Sequence, residues 1–275
     1  MFNNVTRQDV AEAFRKAGVV QGDTVMFHGS LKSPGHVEGG AAAVYDGILD
    51  AASPGGTVAA ATLWFNGNPE ECPKEKFDIN TSPTWTGALA ETLRQDKRSI
   101  RSNSFSHSVS AIGARAEELT ADHGAGRPYP APWSEQAFAE VSPWSKFYSW
   151  NALYCFIGVD MNTCTMKHYI ESRFIEGLLR TLPPEKYDVF RSKLARDCDC
   201  VNGPWLFYPG ARMREALDKT GIIRYTPLGD TTLMSVRTRP LVDCTMEILK
   251  RSHLPWCTPE FAQWVEALEE ERNNR

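Results

Sequence analysis

Residues 24–63 read TVMFHGSLKSPGHVEGGAAAVYDGILDAASPGGTVAAATL, and the order of patterns in this stretch decides the fold class. An apolar run at 24–28 leads into a glycine-rich loop, a helical pattern at 39–51, a Ser-Pro-Gly-Gly turn and a second apolar run at 57–63. Short apolar runs bounded by turn residues are typical of buried strands. A strand, helix, strand order predicts a β-α-β unit with parallel strands and a right-handed crossover. We therefore predict an α/β fold with a mixed, largely parallel central sheet flanked by helices.

The rest of the chain continues this alternation of patterns. Helical patterns occupy residues 6–18, 87–94, 213–221 and 239–250, and apolar strand patterns occupy 109–113 and 153–159. The charged stretch at 266–275 is predicted to be a helix end or a solvated tail. We expect a single domain over residues 1–275, with a helical portion from about residue 170 that completes a cleft.

The composition excludes several classes of function. With 275 residues, 42% of them hydrophobic, the chain can bury a sizeable core. Its 30 basic and 34 acidic residues give a net charge of -4, without a long run of either sign, which argues against binding to nucleic acid or to an anionic membrane. No apolar run approaches the roughly 20 residues of a membrane span. A soluble protein that binds small polar or cationic ligands is expected, and a homodimer is compatible with the sequence.

The seven cysteines predict a reduced, cytoplasmic protein, because they form no Cys-x-x-Cys pair and follow no leading apolar segment. Cys198 and Cys200 flank Asp199 closely enough to suggest a metal or redox pair. The surrounding sequence supplies no further zinc ligands at the usual spacing, so no metal is expected.

Two loops carry clusters of polar residues next to predicted strands. Residues 28–40 place glycines, hydroxyls and a lysine between a strand and a helix, where backbone amides can bind a phosphate or an amide. Residues 101–109 place four serines and a histidine at a strand entrance, where they could line a cofactor tunnel or hold an oxyanion. Structural turns account for both patterns equally well.

His168 and Glu171 lie three residues apart in a predicted helix and therefore share one helical face. A histidine in this setting can accept a proton near neutral pH. Asp197 and Asp199 offer further carboxylates that could orient the imidazole of His168, although this segment also fits a surface turn.

Taken together, these segments resemble the aminoglycoside N3-acetyltransferase family. The family's His-Ser-Ser-Leu and Gly-x-Val-x-Gly-Gly motifs are similar to HGSL at 28–31 and GHVEGG at 35–40. Its Arg-Ser-x-His-Pro-x-His-Ser-Val motif is similar to RSNSFSHSV at 101–109. Its Asn-Thr followed by His-Leu-Ala-Glu is similar to NT at 162–163 followed by HYIE at 168–171.

The resemblance implies an antibiotic-resistance type of acetyltransferase, with a fold distinct from the common small acetyltransferase fold and with acetyl-coenzyme A as co-substrate. His168 matches the family's catalytic histidine and Glu171 its partner, while Asp199, with Asp197 as the alternative, resembles the orienting acid. The implied cofactor contacts are Ser30, Leu31, Lys32, Gly35, Val37, Gly39, Gly40, Ser106, His107 and Ser108. The expected substrate contacts are Asp78, Asn162 and Thr163.

The chain departs from the family motifs at three positions. Gly29 replaces a serine, and Ser104 and Phe105 replace a histidine and a proline. These changes leave the His168 segment intact, so they bear on the acceptor more than on the chemistry.

The sequence is compatible with several acceptors and with more than one class of activity. Two groups of loop residues could contact an acceptor. The first is acidic and could also simply be solvated: Glu70, Glu71 and Asp160. The second is aromatic: Trp64, Phe65 and Trp85. The alternatives are an acetyltransferase for a non-aminoglycoside amine, a non-catalytic coenzyme A-binding protein, and a metal-dependent amidohydrolase that uses His28, His107, His168 and Asp199.

Overall fold

The computed structural model describes residues 4–131, 134–197 and 210–273. The strands, in chain order, are β1 (Asn4–Val5), β2 (Thr24–Gly29), β3 (His36–Val37), β4 (Thr57–Ala61), β5 (Ile100–Arg101), β6 (Val109–Gly113), β7 (Leu153–Ile157), β8 (Arg224–Leu228) and β9 (Thr231–Arg237). The helices are α1 (Arg7–Lys16), α2 (Gly40–Ala52), α3 (Ala88–Gln95), α4 (Ala116–Thr120), α5 (Pro143–Trp150), α6 (Met166–Leu179), α7 (Pro184–Asp197), α8 (Gly210–Asp218), α9 (Thr238–Arg251) and α10 (Pro259–Asn273). Short 3-10 turns occupy Lys74–Lys76, Met161–Thr163 and Leu254–Trp256.

Within the described residues, seven strands form the main sheet in the order β5-β6-β4-β2-β7-β9-β8, and β1 and β3 form a separate parallel pair. β2 is parallel to both of its neighbours, β4 and β7, as the β-α-β pattern predicts. The four remaining pairs are antiparallel, so that only β6 and β9 run against the other five strands. The predicted α/β class with a mixed, largely parallel sheet is confirmed.

Helices cover both faces of this sheet because successive strand residues point to opposite sides. In β2, Val25 and Phe27 pack in one core cluster with α1 and α2. Met26 packs on the other side in the cluster that contains α5 and α6. The alternation places His28 on the same side as Met26, which is the side of α6.

The loops that follow β2, β4 and β7 meet at one edge, because the carboxyl ends of parallel strands lie together. Binding sites in α/β sheets are usually found at this edge. Three segments singled out in the sequence, after residues 28, 61 and 157, are thereby brought into one region.

The C-terminal helices pack on the α6 side of the sheet. The indole nitrogen of Trp264 in α10 donates to the carbonyl of Phe190 in α7 at 2.9 Å. Phe261 and Leu268 of α10 are fully buried, so the segment predicted as a charged end or tail belongs to a packed helix. In the ranges described above, no helix has the length and apolar character needed to cross a membrane.

Candidate active site

A cleft of about 400 Å³ opens at the carboxyl ends of the parallel strands. Four segments supply its walls: the end of β2, the chain after β4, the residues before β6 and the chain from the turn after β7 into α6. Wall residues from these segments include His28, Gly29, Leu63, Phe65, Ser106, His107, Asn162, Thr163, Lys167 and His168.

His168 and Glu171 form a buried pair in the first turns of α6. The Nδ1 atom of His168 lies 3.1 Å from Oε2 of Glu171, and the two side chains are 8% and 0% exposed. This confirms the prediction that the two share a helical face. Because a carboxylate accepts hydrogen bonds, we assign the proton to Nδ1, which leaves the lone pair on Nε2.

The environment keeps His168 neutral at pH 7. Burial lowers the pKa of His168 well below its usual range, and the nearby positive charge of Lys167 acts in the same direction. The imidazole ring of His107 lies 5.7 Å from that of His168, and the ring of Phe138 lies 4.8 Å from His107. The ring of His168 is therefore held in a desolvated, largely aromatic environment.

Ser106 and Ser108, both predicted as cofactor contacts, have different roles in the structure. Ser106 is 1% exposed and lines the cleft, and no hydrogen-bond partner for its Oγ exists among the described residues. Ser108 Oγ instead donates to the carbonyl of Thr62 at 2.6 Å and accepts from Nε of Arg101 at 3.1 Å. Of the two serines, Ser106 is therefore the one whose hydroxyl has hydrogen-bonding capacity left at the cleft.

Arg101 ties together the loops that shape the cleft. Its guanidinium donates to the carbonyls of Ser82 and Thr62, each at 2.6 Å, in addition to Ser108. The side chain also lies over the ring of Phe77, 5.1 Å from its centroid. Burial lowers the pKa of Arg101 to about 10, so the group remains charged at pH 7. The sequence motif included Arg101 but did not indicate this structural role.

His28 links β2 to the start of α6 through Tyr154. Nε2 of His28 lies 2.7 Å from the hydroxyl of Tyr154, which accepts the backbone N–H of Met166 at 3.2 Å. Since the tyrosine oxygen accepts there, we assign its proton to the bond with His28. Burial lowers the pKa of His28 to about 3, so its ring is neutral at pH 7. Tyr154 lies in the apolar run at 153–159, but the sequence did not indicate its contact with His28.

Gly29 explains one departure from the family motif. It pairs with Ile157 across β2 and β7. A Cβ atom at position 29 would lie 2.9 Å from Cβ of Ile157 and 3.0 Å from Cδ1 of Leu89. The close packing of these strands leaves no room for a serine side chain at this position.

The cofactor contacts predicted in the first loop lie beside the cleft and do not line it. Val37 is buried in β3. Gly39 and Gly40, with φ of 79° and 62°, supply the left-handed backbone at the start of α2. Contact with the cofactor stays a prediction for the whole set, which is Ser30, Leu31, Lys32, Gly35, Val37, Gly39 and Gly40.

Of the predicted substrate contacts, Asn162 and Thr163 line the cleft and Asp78 does not. Asp78 accepts the backbone N–H groups of Asn80 and Thr81 at 2.9 and 2.8 Å, which hold the pKa of its carboxyl below the usual range. Asp78 therefore stabilises its own loop.

The acids predicted to orient His168 are Asp199 and, as the alternative, Asp197. Asp199 lies outside the described residues, as do Cys198 and Cys200. Asp197 ends α7, and its side chain is also outside the described part of the structure.

His123 was missed by the sequence analysis. Its Nδ1 lies 2.8 Å from Oγ of Ser102, and its Nε2 lies 2.9 Å from the carbonyl of Ala137. Ser102 Oγ accepts the N–H of Val109 at 2.9 Å, so we assign its proton to His123 and the Nε2 proton to Ala137. His123 thereby supports the turn that carries Phe138. His123 belongs to none of the motifs, and no pattern in the sequence pointed to it.

Comparison with known proteins identifies the family. Residues 26–250 match the family model for aminoglycoside 3-N-acetyltransferase. The chain belongs to this family. The resemblance predicted from the three motifs is thus confirmed. Aminoglycoside N(3)-acetyltransferase III of Salmonella is 33% identical to this family member over 181 residues, which cover 61% of this chain and 60% of the relative. The match thus spans about three-fifths of the curated relatives' length.

Solved structures of other family members share the fold. AAC-IIIb in a binary complex with CoASH superposes with a TM-score of 0.68 at 20% identity, covering 94% of this chain and 99% of that one. A histidine-to-alanine variant of AAC(3)-IVa in complex with a gentamicin gives a TM-score of 0.71 at 17% identity, covering 98% and 99% of the two chains. At these identities the likeness establishes the fold, which confirms the acetyltransferase-like architecture.

Proposed function

We propose that this protein transfers the acetyl group of acetyl-coenzyme A to an amino group of an aminoglycoside or a related amine. Membership of the family supports the reaction, and the complexes of AAC-IIIb with CoASH and of AAC(3)-IVa with a gentamicin support the two kinds of substrate. The observation that carries the proposal is the buried pair of His168 and Glu171 at the wall of the cleft, with Ser106 in the same wall.

His168 acts as the general base. Its Nε2 lone pair takes a proton from the acceptor amine, whose nitrogen then forms a bond to the acetyl carbon. Glu171 holds the Nδ1–H and stabilises the imidazolium that forms. Acetyl-coenzyme A supplies the acyl carbon and a thiolate leaving group, so the C–S bond breaks as the C–N bond forms. Attack is direct in a ternary complex, without a covalent bond to the enzyme.

Ser106 donates a hydrogen bond to the acetyl oxygen as negative charge develops there. Its buried Oγ, without a partner among the described residues, fits an acyl oxygen placed in the cleft. Donors of this kind contribute roughly 10²-fold to 10³-fold in rate, and a general base contributes roughly 10²-fold to 10⁴-fold. Of the hydroxyls considered in the sequence, Ser30 and Ser108 do not line the cleft.

The deciding experiment is replacement of His168 by alanine. Release of free coenzyme A thiol is measured with acetyl-coenzyme A and a panel of aminoglycosides and simple amines. We expect kcat to fall about 10²-fold or more, with the Kd for coenzyme A changed less than about twofold. His253→Ala, a half-buried histidine beside Phe174 and outside the cleft wall, is the matched control and should retain activity. Unchanged turnover in His168→Ala would overturn the mechanism.

The same assay separates the proposal from its rivals. A coenzyme A-binding protein without catalytic function would release no thiol above the background without protein. The amidohydrolase would require bound metal, which elemental analysis of the purified protein detects. Among the residues that the structure describes, no group of three or more His, Cys, Asp or Glu side chains is arranged to hold a metal ion.

A further inference from the structure

The hydroxyl of Tyr154 determines which nitrogen of His28 carries a proton. This hydroxyl accepts the backbone N–H of Met166 at 3.2 Å and lies 2.7 Å from Nε2 of His28. Its own proton goes to Nε2, because an imidazole nitrogen is a better acceptor than the neighbouring Cys164 sulfur. Burial lowers the pKa of His28 to about 3, so the ring carries a single proton at pH 7. That proton is therefore on Nδ1, and His28 is an Nδ1–H donor.

The Nδ1–H group of His28 is open to the cleft. Within residues 4–131, 134–197 and 210–273, the hydrogen bond of the His28 ring is the one that Nε2 makes with Tyr154. Nδ1 is not among the fully buried side-chain atoms that lack a partner in these ranges. Since His28 lines the cleft at the end of β2, an acceptor atom of a bound ligand can reach Nδ1 there.

The protein itself holds the His28 ring in position. The register of β2 and β7 pairs His28 with Phe156, and the two rings stack with their centroids 5.9 Å apart. The ring of Tyr154, on the same strand as Phe156, has its centroid 5.5 Å from that of His28. A donor fixed in this way stabilises developing negative charge without reorganisation, which is what makes an oxyanion site effective.

His28 and His168 present opposite chemical groups to the same cleft. The proton of His168 is on Nδ1, directed at Glu171, and this leaves a lone pair on Nε2. His28 offers an N–H instead. Acetyl transfer needs both kinds of group: a base for the amine proton and a donor for the carbonyl oxygen that becomes negatively charged. The N–H of Met166, two residues before His168, bonds to Tyr154 and so ties this arrangement to the start of α6.

From this juxtaposition we infer that His28 is a second oxyanion donor, whose Nδ1–H binds the acetyl oxygen of acetyl-coenzyme A together with the hydroxyl of Ser106. The inference rests on the proposed acetyl transfer and adds a catalytic residue to it. As the amine nitrogen bonds to the acetyl carbon, the carbonyl π electrons move onto the oxygen, and both donors stabilise that charge while keeping their protons. When the carbonyl re-forms, the C–S bond breaks and its electrons leave with the coenzyme A thiolate. Tyr154 is the positioning residue that sets the tautomer of His28.

Two amide substitutions separate the functions of the two ring nitrogens. A glutamine amide reaches the position of Nε2, and an asparagine amide reaches that of Nδ1. His28→Gln keeps a partner for Tyr154 but has no donor at Nδ1, so we expect kcat to fall about 10²-fold. His28→Asn keeps a donor near Nδ1 and loses the contact with Tyr154, so its kcat should exceed that of His28→Gln by about tenfold or more, although it is the less stable variant in thermal melts. The reverse order of kcat would overturn the inference, because the contact with Tyr154 would then be what matters.

Binding of coenzyme A shows which acceptor atom His28 contacts. Coenzyme A lacks the acetyl group, so its Kd for His28→Gln should stay within about twofold of the wild-type value while kcat falls. If His28 instead held a carbonyl of the pantetheine arm, the Kd would rise by as much as kcat/KM falls. That result would overturn the inference.

Nuclear magnetic resonance of the isotope-labelled protein reads the tautomer without any substrate. The ring signals of His28, identified by their absence from His28→Gln, should show the proton on Nδ1 in the wild-type protein. Tyr154→Phe removes the hydroxyl that donates to Nε2, so the signals should shift toward the Nε2–H tautomer, and kcat should fall by about tenfold. A wild-type ring with its proton on Nε2 would refute the assignment.

The outcomes for the two proposals are distinct. Thiol release by the wild-type protein that continues at full rate in His28→Gln refutes the role of His28 and leaves acetyl transfer standing. Failure of the wild-type protein to release thiol with any amine refutes the proposed function, and the role of His28 with it.

Discussion

The Nδ1 atom of His168 lies 3.1 Å from Oε2 of Glu171, at a depth where the glutamate side chain is 0% exposed. A buried carboxylate is costly unless it is paired and hydrogen-bonded. The unfavourable burial of Glu171 occurs beside His168, the proposed base. There the negative charge of Glu171 would stabilise the imidazolium of His168, which exists only after proton transfer.

Replacing Glu171 should therefore impair catalysis more than binding. Glu171→Gln keeps the size of the side chain but removes the charge opposite the imidazolium, so we expect kcat to fall about tenfold or more with little change in the Kd for coenzyme A. Steady-state kinetics and coenzyme A titration measure these effects. Glu176→Gln is the matched control, because Glu176 is a buried glutamate of the same helix that pairs with Arg180 and Tyr187. It should lose stability while keeping kcat; equal loss of kcat in both variants would argue against a special role for Glu171.

Ser106→Ala and Ser108→Ala should have opposite signatures. Ser106→Ala removes a hydroxyl that has no partner among the described residues, so stability should be nearly unchanged while kcat falls by about 10²-fold. Ser108→Ala removes the donor to Thr62 and the acceptor for Arg101, so the free energy of unfolding should fall by about 1 to 3 kcal/mol. Thermal melts and initial rates of both variants check this. A full rate in Ser106→Ala would remove it from the mechanism.

Arg101 should be a major contributor to stability although it forms no hydrogen bond with a carboxylate in the described chain. Arg101→Met leaves the carbonyl of Ser82 without its donor and removes one of the two donors to the carbonyl of Thr62, and we expect a loss of about 3 kcal/mol or more in the free energy of unfolding. Arg98→Met is the control: Arg98 is 44% exposed and pairs with Asp46 and Asp96, so the loss should be about 1 kcal/mol or less. Urea unfolding measures both. Similar losses in the two variants would contradict this ranking.

Buried neutral histidines should make the fold sensitive to acid. Burial lowers the pKa of His123 from 6.5 to about 4, so between these values the unfolded chain binds a proton that the folded chain does not. The free energy of unfolding therefore decreases as the pH falls through this window, by at most about 1.4 kcal/mol per pH unit for one group. His28 and His107, each with a pKa of about 3, act in the same direction.

The histidine contribution can be isolated with His123→Gln, which removes the titrating group and keeps an amide able to reach Ala137. Urea unfolding at about pH 7 and about pH 5 should show that the variant loses about 2 kcal/mol less than the wild-type protein over this interval. Identical pH dependence in the two proteins would show that His123 does not titrate on unfolding.

The sequence predicted the centre of the fold better than its edges. β6 has the predicted bounds, and β2 and β4 were predicted within two residues, because fully buried strands appear as continuous apolar runs. β8 and β9 were not predicted. β8 is an edge strand that contains Pro227 and has exposed residues at alternate positions, so its composition is typical of a loop.

The site was predictable where one helix or one loop supplies the residues. Helical spacing places His168 and Glu171 on one face, and the resemblance to the family motif gave the pair its predicted role. The contact between His28 and Tyr154, 126 residues apart, depends on the pairing of β2 with β7, which no local pattern specifies. The different contacts of Ser106 and Ser108 likewise depend on the tertiary structure, which places Ser108 against Arg101 and Ser106 at the cleft.

The tight approach of β2 and β7 at Gly29 also limits how this protein can be re-engineered. The atom that a side chain at position 29 would meet is the Cβ of Ile157, so shortening Ile157 to alanine would not make room. A serine transplanted from a relative would need the two strands to spread beside His28. Grafting the family motif into this chain therefore calls for backbone redesign as well as substitution.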